Sequence, residues 1–510
     1  MGERMVIIGA GVAGLSAGCY ARMNGYSTTI LEMHTRPGGL CTQWTRNGYV
    51  IDGCVHWLVG SAPGHPFYRL WQELGVLPGP SIIDREVFVR VEGEGDKALV
   101  VYSDVDRLQA HLLEIAGEDA GQIKEFIRGI RRMGRLTSAP RSIAHWPRVL
   151  RLLASLPGIL LGVLALRRWR SVTVSEFASS FENEFLREAF VHVLDFPEFP
   201  MVGLMMTLAW LDQGAAGYPV GGSQVLADAL ERRYLELGGE IQYGERVAEI
   251  LVENDAAVGV RLQDGREERA DVVVSAADGH ATIFELLGGR YVGERLQRTY
   301  DSDPIFPPLL HVAFGVARDL PELSDSVVGI VFPLHEPVTI DCQRHTSIAA
   351  CAYGFDPSLA PPGKTVLKVM LPSDHARWAA LAEDPDAYRS AKEDAAAQVL
   401  NALEQRFPGL ADEVEMTDVA TPITWARYTG NWQGSFEGWL LTTKNLGRQL
   451  PRTLPGLRQF YMAGQWVVPG GGLPTAAQSG RTVVRQICAA SRKRFVTSLP
   501  APIGGEDADV

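Results

Sequence analysis

Cysteine is scarce in this sequence, and the cysteines it has are too scattered to form a metal site or a disulfide framework. The six stand at Cys19, Cys41, Cys54, Cys342, Cys351 and Cys488, without a C-x-x-C pair or a histidine at ligand spacing. Zinc sites need clustered ligands, and disulfide frameworks belong to small secreted proteins. The sequence therefore predicts neither a metal site nor disulfides, and it fits a reducing cytoplasm.

Positive charge is also in deficit. The 510 residues include 48 Lys and Arg against 60 Asp and Glu, so the formal net charge is −12. Nucleic-acid-binding proteins need a basic surface. We therefore expect no nucleic-acid partner.

Uncharged runs of transmembrane length are missing as well. The run at 152–166 contains no charge, but it is shorter than the roughly 20 residues a spanning helix needs, and a Pro-Gly pair interrupts it. Arginines flank it on both sides. This pattern suits either a segment that sinks into one leaflet of a membrane or a buried core helix. The chain also starts directly on an apolar run, so we expect no signal peptide and a cytoplasmic, peripherally membrane-associated protein.

A glycine-rich turn near the N-terminus is the strongest positive signal. The apolar run at 6–8 ends on Gly9, Gly11 and Gly14 in a G-x-G-x-x-G pattern, and a helical stretch follows. In dinucleotide-binding folds such glycines make the turn tight and leave a pyrophosphate at the positive end of the helix. A second strand ends on Glu32, whose carboxylate can accept hydrogen bonds from both ribose hydroxyls. The stretch predicts a Rossmann-type dinucleotide site.

A second glycine pair separates the possible dinucleotides. Arg36, Gly38 and Gly39 follow shortly after Glu32 in an R-x-G-G segment. An NAD-binding domain has no use for this segment, whereas a flavin dinucleotide needs close backbone approach and a cation near its inner phosphate. Here the sequence resembles the FAD-dependent amine oxidase and phytoene desaturase superfamily. The resemblance implies FAD as the cofactor.

Two further segments resemble one branch of that superfamily, which includes phytoene desaturases, carotenoid isomerases and retinol saturases. They are the Gly-Cys-Val-His-Trp run at 53–57 and the T-P-x-T-x-x-R-Y segment at 421–428. Near the C-terminus, glycines at 470–472 precede a predicted helix whose N-terminus would face the flavin and stabilise negative charge on it. Where the family usually has Gly-Asp, this chain has Gly464 and Gln465, so FAD binding is expected to be weaker or differently poised.

The FAD contacts that these motifs and the resemblance predict lie in five stretches of the chain. They are Gly9, Gly11, Val12, Ala13, Gly14, Glu32, Met33, Arg36, Gly38, Gly39, Leu40, Val247, Ala276, Gly464, Gln465, Gly472, Leu473 and Ala476.

The predicted fold class is α/β, with a Rossmann-type FAD-binding domain interleaved with an α+β substrate-binding domain and a helical, membrane-contacting lid. A chain of this length can build more than one core. The predicted boundaries are FAD binding at 1–100, the lid at 101–215, FAD binding at 216–290, the substrate sheet at 291–420, FAD binding at 421–492 and a disordered tail at 493–510.

The sequence contains a single dinucleotide fingerprint, so a separate NAD(P)H domain is not expected. The resemblance implies hydride transfer between flavin N5 and a C–C or C=C bond of a hydrophobic substrate, such as a carotenoid, another isoprenoid or another lipid. The enzyme could act as desaturase, saturase or isomerase, with quinone or oxygen as electron acceptor. The candidates for proton handling are His56, Asp212, Arg427 and Tyr428, each of which could instead be a structural hydrogen-bonding group.

Two other functions remain open on sequence grounds. A flavin amine oxidase shares the FAD signatures, although its substrates do not explain the apolar run at 152–166. A non-enzymatic prenyl-lipid carrier with the GDP-dissociation-inhibitor fold would keep the architecture without flavin, but Glu32 and the glycine-rich segments argue against it. Nothing in the sequence indicates the oligomeric state.

Overall fold

A parallel five-stranded sheet forms the centre of the nucleotide-binding part of the protein. The computed structural model describes residues 2–137 and 160–500. The strand order in this sheet is Glu240–Tyr243, Ser27–Glu32, Arg4–Ile8, Val272–Ser275 and Phe460–Met462. Its central strand is fully apolar and buried after the first residue, as a strand covered on both faces must be. This Rossmann-like sheet agrees with the predicted fold class.

Two helices from opposite ends of the chain pack closely against each other beside this sheet. They are Val12–Met23 and Leu473–Ala490, and Gly222–Glu236 packs on the first of them. A Cβ on Gly480 would lie 2.4 Å from the carbonyl oxygen of Ala13, so a residue without a side chain is required there. The first and last segments of the fold therefore form one packed unit.

The apolar patterning after the helix Gly222–Glu236 predicts a β-meander with a closing strand, but the observed strands belong to two different sheets. Glu240–Tyr243 joins the edge of the parallel sheet. The strands Val247–Glu253, Ala256–Leu262 and Glu267–Arg269 form a separate antiparallel sheet, whose third strand the sequence analysis missed. That strand is short and highly charged, so it carries no apolar alternation to reveal it.

A seven-stranded sheet forms the second large layer. Its strand order is Val414–Ala420, Leu309–Val316, Thr365–Pro372, Gln343–Ala352, Ile330–Ile340, Val87–Glu92 and Ala98–Tyr102. The helix Pro385–Glu404 packs on this sheet, and the side chain of Asp384 caps it by accepting from the N–H groups of Asp386 and Ala387. A proline at the first helical position and an aspartate at the N-cap are typical of a helix start.

The stretch at 101–215 is mainly helical. Its described helices are Val105–Ile115, Ala120–Thr137, 160–169, Val174–Ser179, Glu184–Ala189 and Met201–Asp212, with 3₁₀ turns at Gly117–Asp119 and Phe190–Val193. Residues 152–159 of the apolar run lie outside the described residues, whereas Leu160 and Leu164 are 61% and 49% exposed. No helix within the described ranges is long and apolar enough to span a bilayer.

Shorter elements connect these layers. The helices are Pro66–Glu73, Glu294–Ser302, Pro321–Ser324, His375–Leu381 and Pro422–Thr429, and the 3₁₀ or π turns are Ala281–Leu286, Ala411–Glu413, Trp432–Gly434 and Gln465–Val467. The short strands are Gln43–Arg46, Tyr49–Asp52, Leu58–Val59, Ile82–Ile83 and Ala216–Pro219.

Two sequence predictions are wrong: the end of one strand and the disorder of residues 493–500. The run at 49–57, which follows an Asn-Gly turn, predicts a single strand. The observed strand ends at Asp52, because the Asp52 carboxylate accepts hydrogen bonds from the N–H groups of Cys54 and Val55 and turns the chain. The tail is expected to be disordered from 493, but residues 493–500 pack against the first segment of the fold. The Val496 N–H donates to Asn24, 2.8 Å away, and Phe495 packs on Tyr20.

Candidate flavin and substrate site

A cavity of about 1450 Å³ is lined by both ends of the chain and by the helical stretch at 101–215. One part of its wall is glycine-rich backbone from the parallel sheet. Another part is apolar and comes from the large sheet and the helix Met201–Asp212. The cavity is large enough for a dinucleotide-sized group and part of a second, hydrophobic molecule.

The glycine-rich part is formed where the first turn meets the R-x-G-G segment. The N–H of Gly38 donates to the carbonyl oxygen of Ala10 at 3.0 Å, and Gly11 pairs with Gly38 as an isolated β-bridge. A Cβ on Gly38, at φ +117°, would lie 2.2 Å from the carbonyl oxygen of Cys41, and one on Gly39 would lie 3.3 Å from Gly11 Cα. Side chains are therefore excluded, and bare backbone faces the cavity.

Glu32 is held rigidly at the end of its strand. Its Oε2 accepts from the N–H of Ala10 at 2.6 Å and its Oε1 from the N–H of His34 at 2.8 Å, and the residue is 7% exposed. Each carboxylate oxygen has a second acceptor site free of these bonds. Since Glu32 lines the cavity, those sites can take the two hydroxyls of a ribose.

Two helix N-termini open into the same cavity. The helix Val12–Met23 begins after Gly11 and the helix Leu473–Ala490 after Gly472, and neither glycine has a side chain to cap its helix. The first N–H groups of a helix have no intrahelical partner, and they carry partial positive charge. The two ends can therefore bind the negative groups of a flavin dinucleotide.

Most of the sequence-predicted cofactor residues come together at this cavity. Those that line it are Gly9, Gly11, Val12, Ala13, Glu32, Met33, Arg36, Gly38, Gly39, Leu40, Val247, Ala276, Gly464, Gln465, Gly472, Leu473 and Ala476.

Gly14 is the exception among the predicted contacts, since it does not line the cavity. A Cβ there would lie 1.9 Å from the carbonyl oxygen of Gly9, so its role is to let the helix approach the turn. Gln465 keeps a polar group at the cavity, where its amide donates to Asn431 Oδ1 at 3.2 Å. The bare backbone, the ribose-facing carboxylate and the two helix ends together fit FAD.

The other part of the cavity is apolar and aromatic. Phe436 stands 4.9 Å from Phe306 between ring centroids, and Phe306 stands 5.8 Å from Phe196. Met206 and Trp210 of the helix Met201–Asp212 line the same region. A wall of this composition suits a hydrophobic ligand, and methionine adapts to an irregular one.

Three of the four proton-handling candidates do not lie in the buried part of the cavity. Asp212 is solvent-exposed, does not line the cavity, and accepts a hydrogen bond from the N–H of Val105 at 3.0 Å. Its role in the structure is to bind the start of a helix. Arg427 and Tyr428 line the cavity, but both are exposed at its rim, where Tyr428 stands edge-on to His34.

The fourth candidate, His56, lines the cavity among buried groups. Burial and the nearby charge of Lys368 lower the pKa of His56 to about 3. The side chain is therefore neutral at pH 7. It is poorly matched to proton transfer, for which a pKa near the working pH is best.

Two polar residues of the cavity escaped the sequence analysis. Glu437 lies beside the glycines that precede the C-terminal helix, since a Cβ on Gly471 would be 2.6 Å from its Cγ. Burial raises the pKa of Glu437 to about 8, and a hydrogen bond with the backbone of Gly472 opposes this shift. His311, on the strand Leu309–Val316, is 3% exposed. No local spacing reveals either residue.

The fold and the cavity define a flavin-dependent oxidoreductase. The chain belongs to the flavin containing amine oxidoreductase family, whose sequence pattern matches residues 12–488. Its cofactor is FAD.

Known proteins resemble this chain along nearly its whole length. The protein is 26% identical to a prolycopene isomerase from Arabidopsis thaliana over 95% of this chain and 82% of that one. It is 26% identical to a 4,4'-diapophytoene desaturase from Methylomonas sp over 97% of this chain and 96% of that one. A solved putrescine oxidase with bound putrescine has the same fold, with a TM-score of 0.60 at 14% identity, over 96% of this chain and 99% of that one.

Proposed function

We propose that the protein transfers hydride between its flavin and a carbon–carbon bond of an isoprenoid or other hydrophobic lipid. The reaction would be a desaturation, a saturation or an isomerisation. The observation that carries this proposal is the continuity of one cavity, in which the glycine-rich wall for FAD adjoins an aromatic and apolar wall. The similarity to enzymes named as carotenoid desaturase and isomerase supports it.

The protein's own residues have three tasks in this reaction. The backbone at Gly11 and Gly38 and the carboxylate of Glu32 hold the cofactor. The apolar wall around Met206 binds the lipid chain and excludes water. When bound, the flavin supplies the group that accepts or returns a hydride.

Glu437 is the best placed of the cavity residues to hold the accompanying proton. It lies between the apolar wall at Phe436 and the glycines at 470–472. Its pKa of about 8 means that it can gain or lose a proton near neutral pH, as a general acid or base should. In a desaturation, electrons would leave the enzyme to a quinone or to oxygen, which re-oxidation measurements can distinguish; a saturation would need an electron donor instead.

The proposal can be tested by anaerobic incubation of the FAD-loaded protein with a lipid extract. With oxidised flavin, a desaturation should bleach the flavin absorbance and remove two hydrogens from the lipid. With flavin reduced beforehand by dithionite, a saturation should restore the absorbance and add two hydrogens, whereas an isomerisation should change neither the absorbance nor the mass. Met206→Asp should abolish the effect and leave FAD bound, because it places a charge in the apolar wall. Leu235→Asp, at an exposed leucine elsewhere, should have no effect.

Other outcomes would support the two alternative functions. Flavin bleaching by amines but not by any lipid would favour an amine oxidase. A colourless protein that does not take up FAD but binds prenyl lipid would favour a carrier.

We also propose that the protein binds membranes at their surface through the apolar run at 152–166. Leu160 and Leu164 are exposed at its described end, and Arg168 nearby pairs with Glu125. Exposed leucines near arginines suit an interface with anionic lipid. Replacing both leucines with serine should weaken sedimentation with anionic vesicles, whereas Leu235→Ser should not. Unchanged sedimentation of the double variant would contradict the proposal.

A further inference from the structure

His311 is buried at the cavity wall with both of its ring nitrogens unsatisfied. Among the described residues neither Nδ1 nor Nε2 has a hydrogen-bond partner. The ring instead stands 4.8 Å from that of Trp425. A buried polar group without a partner costs free energy, so structures rarely keep one unless a ligand or water satisfies it.

His56 presents one more unsatisfied nitrogen to the same cavity. Its Nε2 is buried and has no partner within the described parts of the chain. A hydrogen bond with the backbone of Cys54 raises its pKa, which is the effect of a carbonyl oxygen that accepts from a ring N–H. Since Nε2 is unpartnered, this N–H belongs to Nδ1. Nε2 of the neutral ring is then a hydrogen-bond acceptor.

Burial keeps the two histidines neutral, and the charge of Lys368 adds to this effect. Its Nζ donates to the backbone carbonyl of Asp52 at 2.8 Å, and its charge lowers the pKa of both rings. Trp425 brings the two segments together, since its ring stands 4.8 Å from that of His311 and its Cη2 would lie 2.6 Å from a Cβ on Gly53, three residues before His56. A neutral His311 has one donor nitrogen and one acceptor nitrogen. Together the two side chains therefore offer one N–H and two acceptor nitrogens at the cavity wall.

We propose that His56 and His311 form a binding site for a hydroxyl group, so that the preferred substrate is a lipid alcohol rather than a pure hydrocarbon. A hydroxyl can donate to Nε2 of His56 and accept from the N–H of His311. A ketone, ether or carboxylate oxygen accepts only and leaves Nε2 unsatisfied. A hydrocarbon satisfies neither ring. This inference rests on the proposed function, because it assumes that the apolar cavity binds a lipid.

The test compares two ligands that differ by one group. The FAD-loaded protein is titrated with geranylgeraniol and with the hydrocarbon of the same chain that lacks the hydroxyl, and binding is followed by tryptophan fluorescence. We expect the wild-type protein to bind the alcohol at least about tenfold more tightly, because the site discriminates by leaving its polar groups unpaired with the hydrocarbon.

Variants assign the preference to the histidines. His311→Leu should remove the preference for the alcohol and leave the Kd of the hydrocarbon within about twofold. His311→Gln, which keeps a donor and an acceptor, should retain part of it. His56→Leu gives a second, independent test if His311→Leu fails to fold, as judged by flavin absorbance and thermal unfolding. His335→Leu, an exposed histidine, is the control.

Three results separate the inference from the function on which it rests. Equal affinity of the wild-type protein for alcohol and hydrocarbon overturns the hydroxyl site but leaves the lipid cavity intact. A preference for the alcohol that persists in both His311→Leu and His56→Leu also overturns the hydroxyl site and leaves the lipid cavity intact, since water or another group then satisfies the histidines. Binding of neither lipid contradicts the proposed function, and the inference fails with it.

Discussion

The buried carboxylate of Asp52 accepts two hydrogen bonds from Ser223, which lies 171 positions later in the chain. The N–H of Ser223 donates to Oδ2 at 2.6 Å, and its Oγ donates to Oδ1 at 2.6 Å. Oδ1 also accepts from Cys54 and Val55, and the backbone carbonyl of Asp52 accepts from Lys368. One residue thus joins the segment that carries His56, the start of the helix Gly222–Glu236 and the large sheet.

The first prediction concerns this junction. Asp52→Asn replaces one acceptor oxygen with an NH₂ group that faces N–H donors, so the free energy of unfolding should fall by about 2–4 kcal/mol. Ser223→Ala removes one hydroxyl bond and should cost about 1–2 kcal/mol. Urea unfolding measures both. Asp394→Asn, at an exposed helical position, should change stability by less than about 0.5 kcal/mol; a similar loss in all three variants would contradict a special role for Asp52.

The second prediction tests whether the two ends of the chain form one unit. Gly480→Ala places a methyl group 2.4 Å from the carbonyl of Ala13 and 2.7 Å from the N of Ala17, so the two helices must separate. We expect a loss of about 1–3 kcal/mol in unfolding free energy and weaker FAD binding. Gly121→Ala is the matched control, because no atom lies within 4 Å of its added methyl group. If both substitutions are tolerated equally, the helix contact is looser than described.

Sequence reasoning predicted the parts of the site that lie close together in the chain. Gly9, Gly11 and Glu32 belong to one contiguous strand–helix–strand unit, whose spacing alone fixes where the turn and the carboxylate must lie. Gly38 was predicted from the R-x-G-G segment that follows this unit.

The residues that the sequence did not reveal owe their character to distant neighbours. His311 is unusual because strands far apart in sequence enclose it, and Glu437 because burial changes its pKa. Asp212 has the residue type of a proton-handling group, but the structure uses it at a helix start. Chemistry that depends on burial cannot be read from residue spacing, because burial is a property of the whole fold.

The third prediction concerns the adenosine end of the cofactor site. In Glu32→Gln one oxygen becomes an NH₂ group that faces the N–H of either Ala10 or His34 and can no longer accept from a ribose hydroxyl. FAD affinity should fall by roughly 10–100-fold, since hydrogen bonds to a charged acceptor are the stronger ones. Titration of the apoprotein, followed by flavin fluorescence, measures it. Glu240→Gln, an exposed carboxylate on the neighbouring strand, should bind FAD as the wild-type protein does. Unchanged affinity of Glu32→Gln would place the ribose elsewhere.

The fourth prediction is a pH dependence that arises from Glu437. Its pKa is about 8 in the folded protein, against about 4.3 for an unfolded chain. Between these values the folded protein keeps a proton that the unfolded chain has lost, so stability falls as the pH rises from 5 to 8. Glu437→Gln cannot ionise and escapes this loss. The unfolding free energy of this variant minus that of wild type should therefore increase by on the order of 2 kcal/mol between pH 5 and pH 8. The full pKa difference would give a larger change, but water in the cavity screens the carboxylate.

Urea unfolding at pH 5, 6.5 and 8 measures this difference. Glu393→Gln, an exposed carboxylate on the helix Pro385–Glu404, is the matched control and should differ from wild type by the same amount at every pH. A constant difference for Glu437→Gln as well would mean that Glu437 ionises like a solvent-exposed carboxylate. It would then be charged at neutral pH beside the N-terminus of the helix Leu473–Ala490, and its proposed role as the proton-holding group of the cavity would be lost.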